Sequence, residues 1–423
     1  MAKVNIARGM RDILPTDMKK RRMVIQTIQS IFERFGFSPL ETPAVERIET
    51  LLGKYGDEGN QLIFKILARG EAGTQGKADL ALRYDLTVPL ARVVAMNQQL
   101  TLPFKRYQIQ PVWRADRPQK GRFREFYQCD VDVVGSASRI AEAECIAIVS
   151  EALTSLGFES FLIRLNDRRI LRHLVSEIGA LERETDILVA IDKLDKIGEK
   201  GVREVLLKQD FQSTQIDRLF ELLHQSSIDG VTEELTQLHQ IREWAIAMGV
   251  SPTRVNIDFT LARGLNYYTG PVFETVLTDS NIGSVSGGGR YDGLIGMFGK
   301  KDIPAVGVSL GVERLITIME ERNMFSQQVQ SVDAWVTVFQ SDMMSDSVRV
   351  ATQFRTAGIP TMLSMRVGKL GKQFKDANKA GATWVVVVGP DDKAQGHVLL
   401  KNLGDGTQQS VSVEQAIQIV LDE

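Results

Sequence analysis

Between Lys105 and Arg124 the chain carries seven basic residues, Lys105, Arg106, Arg114, Arg117, Lys120, Arg122 and Arg124, against one acidic residue, Asp116. The surrounding stretch, FKRYQIQPVWRADRPQKGRFREFYQCDVDVVG, reads as a hairpin whose first strand ends near Arg114 and whose second begins near Phe123. The connection is a long basic loop, RADRPQKG. Strand alternation places Phe126, Gln128, Asp130 and Asp132 on one face. Arginine forks bind phosphate oxygens in pairs, an aromatic ring stacks on adenine, and an amide or carboxylate takes an α-ammonium. The set suits a nucleotide and an amino acid. A solvated basic hairpin beside an ordinary surface strand has the same pattern, and charge and period leave both readings open.

Such groups need a scaffold. The chain has 423 residues, too many for one ordinary domain, with 43% hydrophobic and 25% charged residues, the mix of a folded, water-soluble protein. No apolar run approaches the ~20 residues of a membrane span. The N-terminus, MAKVNIARGMRD, reads as neither secretory signal nor transit peptide, so a cytoplasmic location is expected. The two cysteines, Cys129 and Cys145, form no CxxC pair, which excludes a disulfide framework and a cysteine-based zinc site. The four histidines have no ligand spacing, and no metal site of the protein's own is expected. With a net charge of -2, non-specific nucleic-acid binding over the whole surface is disfavoured.

The spacing of Val24, Ile28, Ile31, Phe32 and Phe35 predicts a helix from about Asp17 to Phe35, capped by Thr16 or Asp17 and ended by Gly36. FSPLETPAV follows as an extended piece, with Pro43 at an edge or bend. From about Ala78 to Asp132 strands and turns are expected, punctuated by Gln110-Pro111 and Arg117-Pro118. Residues 168–250 read as a small helical insertion. RVNIDFT and PVFETVL are strands, GGGRYDG a glycine-rich turn, and AVGVSLGVERLITIMEE a strand-to-helix step. After a polar stretch from Arg322 to Ser331, strands DAWVTVF, PTMLSM and TWVVVVG alternate with helices over about 345–357 and 369–380, an α/β domain.

The hairpin closely resembles motif 2 of the class II aminoacyl-tRNA synthetases in its histidine-specific form. RGMRDILP with its helix resembles motif 1, and ALRYDLTVPLAR a histidine-site segment. LARGLNYYTG and GGGRYDGL resemble histidine-specific signatures, GVSLGVERL resembles motif 3, and KLGKQFKDANKAGA resembles the anticodon-binding domain. All six follow in the family's order. The implied fold is α+β: an antiparallel-sheet catalytic domain over 1–325 with the helical insertion at about 168–250, a linker at 326–332, and an α/β anticodon-binding domain over 333–423. The implied partners are L-histidine, ATP carrying Mg²⁺, histidine tRNA and a second copy of the chain, with no membrane.

The resemblance also implies roles. Arg114 would hold the α-phosphate and the histidine carboxylate, Arg122 and Arg314 the outer phosphates, Asp116 would be a further ATP-binding residue, and Phe126 would stack on adenine. Arg314, near the start of its helix, would gain from that helix's positive end; a surface ion pair with Glu313 or Glu320 is the alternative. Asp85, Leu86, Thr87 and Gln128 would form the α-amino site. Asp132 and Tyr268 would meet the imidazole nitrogens, with Tyr267 and Tyr291 packing the pocket, although a Tyr-Tyr pair also fits plain strand packing. Arg263 would stabilise charge developing on the phosphoryl oxygens, where turn-flanking surface charge is the bland reading. Gly264 and Gly287 to Gly289 read partly as turn chemistry. Arg117 and Gln119 would read the tRNA's extra 5′ nucleotide, and Lys369, Lys372, Lys375 and Lys379, on one helical face opposite Leu370, Phe374 and Ala377, would follow an RNA backbone or form a solvated face. Asn266 stands where many relatives carry aspartate, Asp116 replaces a more usual glutamate, and Asp132 is shorter than the glutamate of many bacterial members. A synthetase-like regulatory subunit of histidine biosynthesis, and a class II ligase for another amino acid, are the competing readings.

Overall fold

Helix α1 (Pro15–Arg34) buries Val24, Ile28, Ile31 and Phe32 along one stripe, each burial contributing roughly 1.5–3 kcal/mol. It starts earlier than its polar residues suggested: Pro15 opens the first turn, where a missing N–H costs nothing. Gly36, at φ +77°, ends the run. The computed structural model describes residues 4–225, 228–262, 267–299, 301–325 and 332–422. By packing these fall into two units, one holding residues up to Ile13 and from Arg21 to Met324, the other Leu14–Lys20 and the residues from Phe325 on.

The first unit is built on an eight-stranded sheet. Its strands are β1 (Ser38–Pro39), β2 (Phe104–Trp113), β3 (Glu125–Val134), β4 (Phe161–Asp167), β5 (Val255–Ile257), β6 (Pro271–Leu277), β7 (Ser284–Arg290) and β8 (Ala305–Leu310). Their order is β1-β2-β3-β8-β7-β6-β4-β5, antiparallel except for the β1–β2 and β4–β5 pairs at the edges. Helix α2 (Thr87–Met96) replaces part of the strand-and-turn region expected from residue 78 to 132. Pro89 is its third residue, where the N–H has no intrahelical partner to lose. The described residues between β4 and β5 are mainly helical, with α3 (Arg168–Glu177), α4 (Leu194–Lys208) and α5 (Thr232–Ala247) among the helices. Helix α6 (Val312–Glu321) follows β8 after one glycine.

The expected turn at Gly287 to Gly289 is a central strand instead. These glycines lie inside β7, between β6 and β8. A Cβ on Gly289 would sit 2.9 Å from the Pro271 carbonyl oxygen and 2.9 Å from the Tyr268 ring, and one on Gly288 would collide with Gly307 of β8. Close approach of neighbouring strands, not a reversal, is what demands glycine here.

In the second unit a mixed five-stranded sheet runs β10-β9-β11-β12-β13, from strands β9 (Ala334–Val336), β10 (Thr361–Leu363), β11 (Trp384–Val387), β12 (His397–Asn402) and β13 (Gln408–Ser412). Val336, Phe354 and Val386 pack on one face, and Trp335, Ala377 and Val385 on the other, so both faces are covered, as an α/β layer requires. Helix α7 (Leu370–Lys379) carries Lys372, Lys375 and Lys379 in solvent and buries Ala377. Lys369 is not on that helical face. It precedes the helix in a left-handed conformation, φ 49°. Among the described residues no helix is long and apolar enough to cross a membrane.

Candidate functional site

The sheet register assembles one polar face. Arg106 of β2 pairs with Asp132 of β3, Asp132 with Gly307 of β8, and Gly307 with Gly289 of β7. Two residues along, Gln108, Asp130, Ser309 and Gly287 form a second row. A Cβ on Gly307 would collide with the Asp132 carboxylate, so the glycines make room for side chains on the strand next door.

At one end of this face lies a closed set of carboxylates and hydroxyls. Tyr291 donates to Asp132 Oδ1, so it does more than pack. Arg106 Nη2 stands 2.8 Å from Asp132 Oδ2, both side chains buried. Gln128 donates to both Asp130 oxygens and to Ser309 Oγ, each at 3.3 Å. Asp85 Oδ1 accepts from Tyr55 Oη at 2.9 Å and from the Val88 amide at 3.1 Å in the first turn of α2, and Tyr267 Oη reaches Asp85 Oδ2 at 3.5 Å. Leu86 and Thr87 are buried beside it, with Thr87 bonded to Tyr267. Tyr268 packs edge-on against Tyr267, with ring centroids 5.0 Å apart.

Burial raises the pKa of all three carboxyl groups. Asp130 is pushed up to about 7, first by desolvation and then by the Asp132 charge, against the opposing pull of Arg106. Asp132 is raised by desolvation with Arg106 and Tyr291 pulling it back, and Asp85 by desolvation with the Val88 amide and Arg114 opposing. The tyrosines Tyr55, Tyr267 and Tyr291 are held as neutral donors, foremost by burial.

The other end is arginine-rich and more open. Arg114 donates to the Tyr84 carbonyl at 3.0 Å and to Gln128 Oε1 at 3.4 Å. Its guanidinium lies between two rings, 4.4 Å from the Tyr84 centroid and 5.1 Å from that of Phe126. Arg122, 44% exposed, forks onto Asp116 Oδ2 at 3.1 and 2.8 Å. Arg314, third residue of α6, donates to the Ser284 carbonyl and to Ser284 Oγ at 3.3 Å. A Cβ on Gly121 would be 3.6 Å from Arg314 Cγ, so the basic loop and the start of α6 meet. Glu313, beside Arg314 in sequence, is buried and takes Arg11 and Arg21.

Asp85, Leu86, Thr87, Arg114, Gln128, Asp132, Tyr267, Tyr268 and Tyr291 are thus brought together, with Asp116, Arg122, Phe126 and Arg314 at the adjoining end. Arg263, Gly264 and Asn266 lie outside the described residues. Arg117 and Gln119 are exposed on the loop, and Lys369, Lys372 and Lys375 are exposed in the second unit. Sequence reasoning missed Tyr55, Tyr84 and the Glu313 cluster. It also counted Arg106 as one more loop-flanking charge, whereas Arg106 is wholly buried. Asp130 had shown itself by alternation but received no role.

A family model described as histidyl-tRNA synthetase matches residues 9–315, and one described as an anticodon binding domain matches residues 333–423. The chain is 41% identical to a histidine–tRNA ligase of Cytophaga hutchinsonii and 38% identical to one of Gloeobacter violaceus, in each case over 99% of both chains. Among solved structures, a histidyl-tRNA synthetase from Nostoc sp. PCC 7120 is 31% identical and covers 100% of both chains with a TM-score of 0.85. A Bacillus halodurans structure named as an ATP phosphoribosyltransferase regulatory subunit/histidyl-tRNA synthetase reaches a TM-score of 0.72 at 24% identity, covering 90% of this chain and 96% of that one, a likeness of fold.

Proposed function

From membership of the histidyl-tRNA synthetase family, to which this chain belongs, we propose that the protein is a histidine–tRNA ligase: it joins L-histidine to its tRNA through a histidyl-adenylate, releasing diphosphate and then AMP. What carries this reading over a regulatory role is that the likeness runs through both the catalytic and the anticodon-binding regions.

In the first step a histidine carboxylate oxygen attacks the α-phosphorus of ATP, which enters with Mg²⁺, and the bond to the β-phosphate breaks. The carboxylate is already ionised at neutral pH, so no general base is required. Asp85, Thr87 and Gln128, beside Leu86, take the α-ammonium. Asp132 accepts the imidazole N–H and Tyr268 faces the other ring nitrogen. A pocket that bonds both ends of the ring rejects side chains that would leave its buried groups unpaired. Arg114 bridges the histidine carboxylate and the α-phosphate, and Arg263 supplies a second cation to the charge that builds on the phosphoryl oxygens. Arg122, released from Asp116, and Arg314 hold the outer phosphates, the latter aided by the start of α6. Phe126 carries the adenine.

In the second step a terminal ribose hydroxyl of the tRNA displaces AMP. Arg117 and Gln119, exposed on the basic loop, would read the extra 5′ nucleotide of the tRNA. The exposed Lys369, Lys372 and Lys375 form a basic strip for RNA in a domain spanning 333–423, with the catalytic domain over 1–325 and its insertion at about 168–250. The homodimer and the cytoplasmic location rest on the motif 1 resemblance and on the family. Diphosphate exchange across all twenty amino acids tests the reading. Exchange with histidine, followed by histidine-dependent charging of tRNA, is expected. Exchange with another amino acid, or none at all, overturns it.

A further inference from the structure

A guanidinium with no solvent exposure is costly unless it is paired. Arg106 has none, and it sits on β2 directly across from Asp132. Its Nη2 is 2.8 Å from Asp132 Oδ2 and donates to the Leu86 carbonyl at 3.3 Å, in the segment that carries Asp85 and Thr87. Arg106 therefore contacts residues from both ends of the proposed amino-acid slot. Its Nε and Nη1 find no hydrogen-bond partner among the described residues, and Asp132 Oδ2 accepts no hydrogen bond either. A buried cation that satisfies so few of its own donors is poorly explained by stability alone.

We propose that Arg106 is a positioning residue for histidine: it holds Asp132 as an ionised acceptor for the imidazole N–H and ties it to the backbone of the ammonium site. The proposal rests on the histidine reading above. Two observations support it beyond the contact itself. Arg106 opposes the burial of all three carboxyl groups, Asp85, Asp130 and Asp132, so one cation serves the whole cluster. And Asp132 has little else to keep it charged. Its Oδ1 accepts from Tyr291, while Asp130 on its own strand, Tyr268 before β6 and Cys145 on the helix Ile140–Ser155 are anionic or neutral groups that feel its charge. Without Arg106 the carboxyl would protonate more readily and turn from acceptor to donor.

The test is steady-state diphosphate exchange with the full chain. In Arg106→Met the KM for histidine should rise at least tenfold at pH 7 and recover several-fold by pH 9, as Asp132 ionises again, while the KM for ATP stays within about threefold. Arg106→Lys, which keeps the charge and loses the fork, should raise the histidine KM by a smaller factor with no pH recovery. If the Met variant does not fold, the Lys variant decides: an unchanged histidine KM overturns the proposal. So does a Met variant whose histidine and ATP constants rise together without pH dependence, the mark of a structural role. If the unsubstituted protein fails to exchange with histidine, it is the functional reading that has failed, and the variants are then not needed to show it.

Discussion

The two ends of the candidate site, the proposed amino-acid end and the proposed phosphate end, are built on opposite principles. At the amino-acid end Asp85, Asp130 and Asp132 are buried and already bonded to tyrosines, amides and each other's neighbours. At the phosphate end the cations are engaged by groups they can exchange: Arg122 by the Asp116 carboxylate, Arg314 by Ser284, and Arg114 by the Tyr84 carbonyl. The amino-acid end must discriminate one side chain from nineteen others, and discrimination comes from fixed buried partners that a wrong ligand leaves unpaired. The phosphate end must grip a highly charged group common to many molecules and then release part of it, so strength at the moment of reaction matters more than selectivity.

The comparison breaks most sharply at Arg114, which belongs to both ends. Arg114→Ala should lower kcat for histidine-dependent exchange by ~10²–10³, as loss of an oriented charge stabiliser does, with both KM values moving less. An unaltered kcat would remove Arg114 from the reaction. Asp132→Asn should mark the amino-acid end alone. It strands the buried Arg106, costing on the order of 3 kcal/mol of stability in denaturant titration, and raises the histidine KM ~10–100-fold while the ATP KM holds. Equal changes in both constants would erase the distinction between the ends.

A pH-resolved prediction comes from Asp130. Its folded pKa of about 7 lies above the ordinary 3.8, so the folded protein holds more protons than the unfolded chain between those values. Stability contributed by the protonated form is therefore complete below pH 4 and is lost as pH rises through 7. Asp130→Asn should match the parent in unfolding free energy near pH 4 and exceed it at pH 8 by roughly 2–4 kcal/mol, read by denaturant titration at the two pH values. An offset that is the same at both pH values would contradict the assignment. The smallest effect belongs to the exposed end. Asp116→Ala removes a partly exposed ion pair and should change stability by no more than ~0.5 kcal/mol, measured by thermal melting. Freed of its competitor, Arg122 should lower the ATP KM, and a large rise would mean that Asp116 itself binds nucleotide.

The same contrast explains what the sequence disclosed. Local signals were legible: the stripe of α1, the hairpin β2–β3, and the alternation that put Gln128, Asp130 and Asp132 on one face. The C-terminal alternation of strand and helix was readable too, because each element there carries its own apolar pattern. What failed depended on partners distant in the chain. Gly287 to Gly289 looked like a turn because glycine's two uses, tight reversal and close packing, are indistinguishable without knowing that β6 and β8 flank it. The helix α2 lies inside the stretch expected to be strands and turns, and Pro89, in its first turn, is compatible with it. Arg106 was lost among six other basic residues, since composition does not tell a solvated charge from one buried on the face of a sheet. Its partner Asp132 lies twenty-six positions away, across the hairpin.

Two crystal structures, one with histidine alone and one with histidine and a non-hydrolysable ATP analogue, test the central contrast directly. The expected result is that histidine binds with Asp85, Gln128, Asp132 and Tyr291 displaced by less than ~1 Å, as in pre-organised sites, while Arg122 and Arg314 leave Asp116 and Ser284 for phosphate oxygens only when the nucleotide is present. Carboxylates that rearrange to admit histidine, or arginines that stay with Asp116 and Ser284 under bound nucleotide, would contradict it.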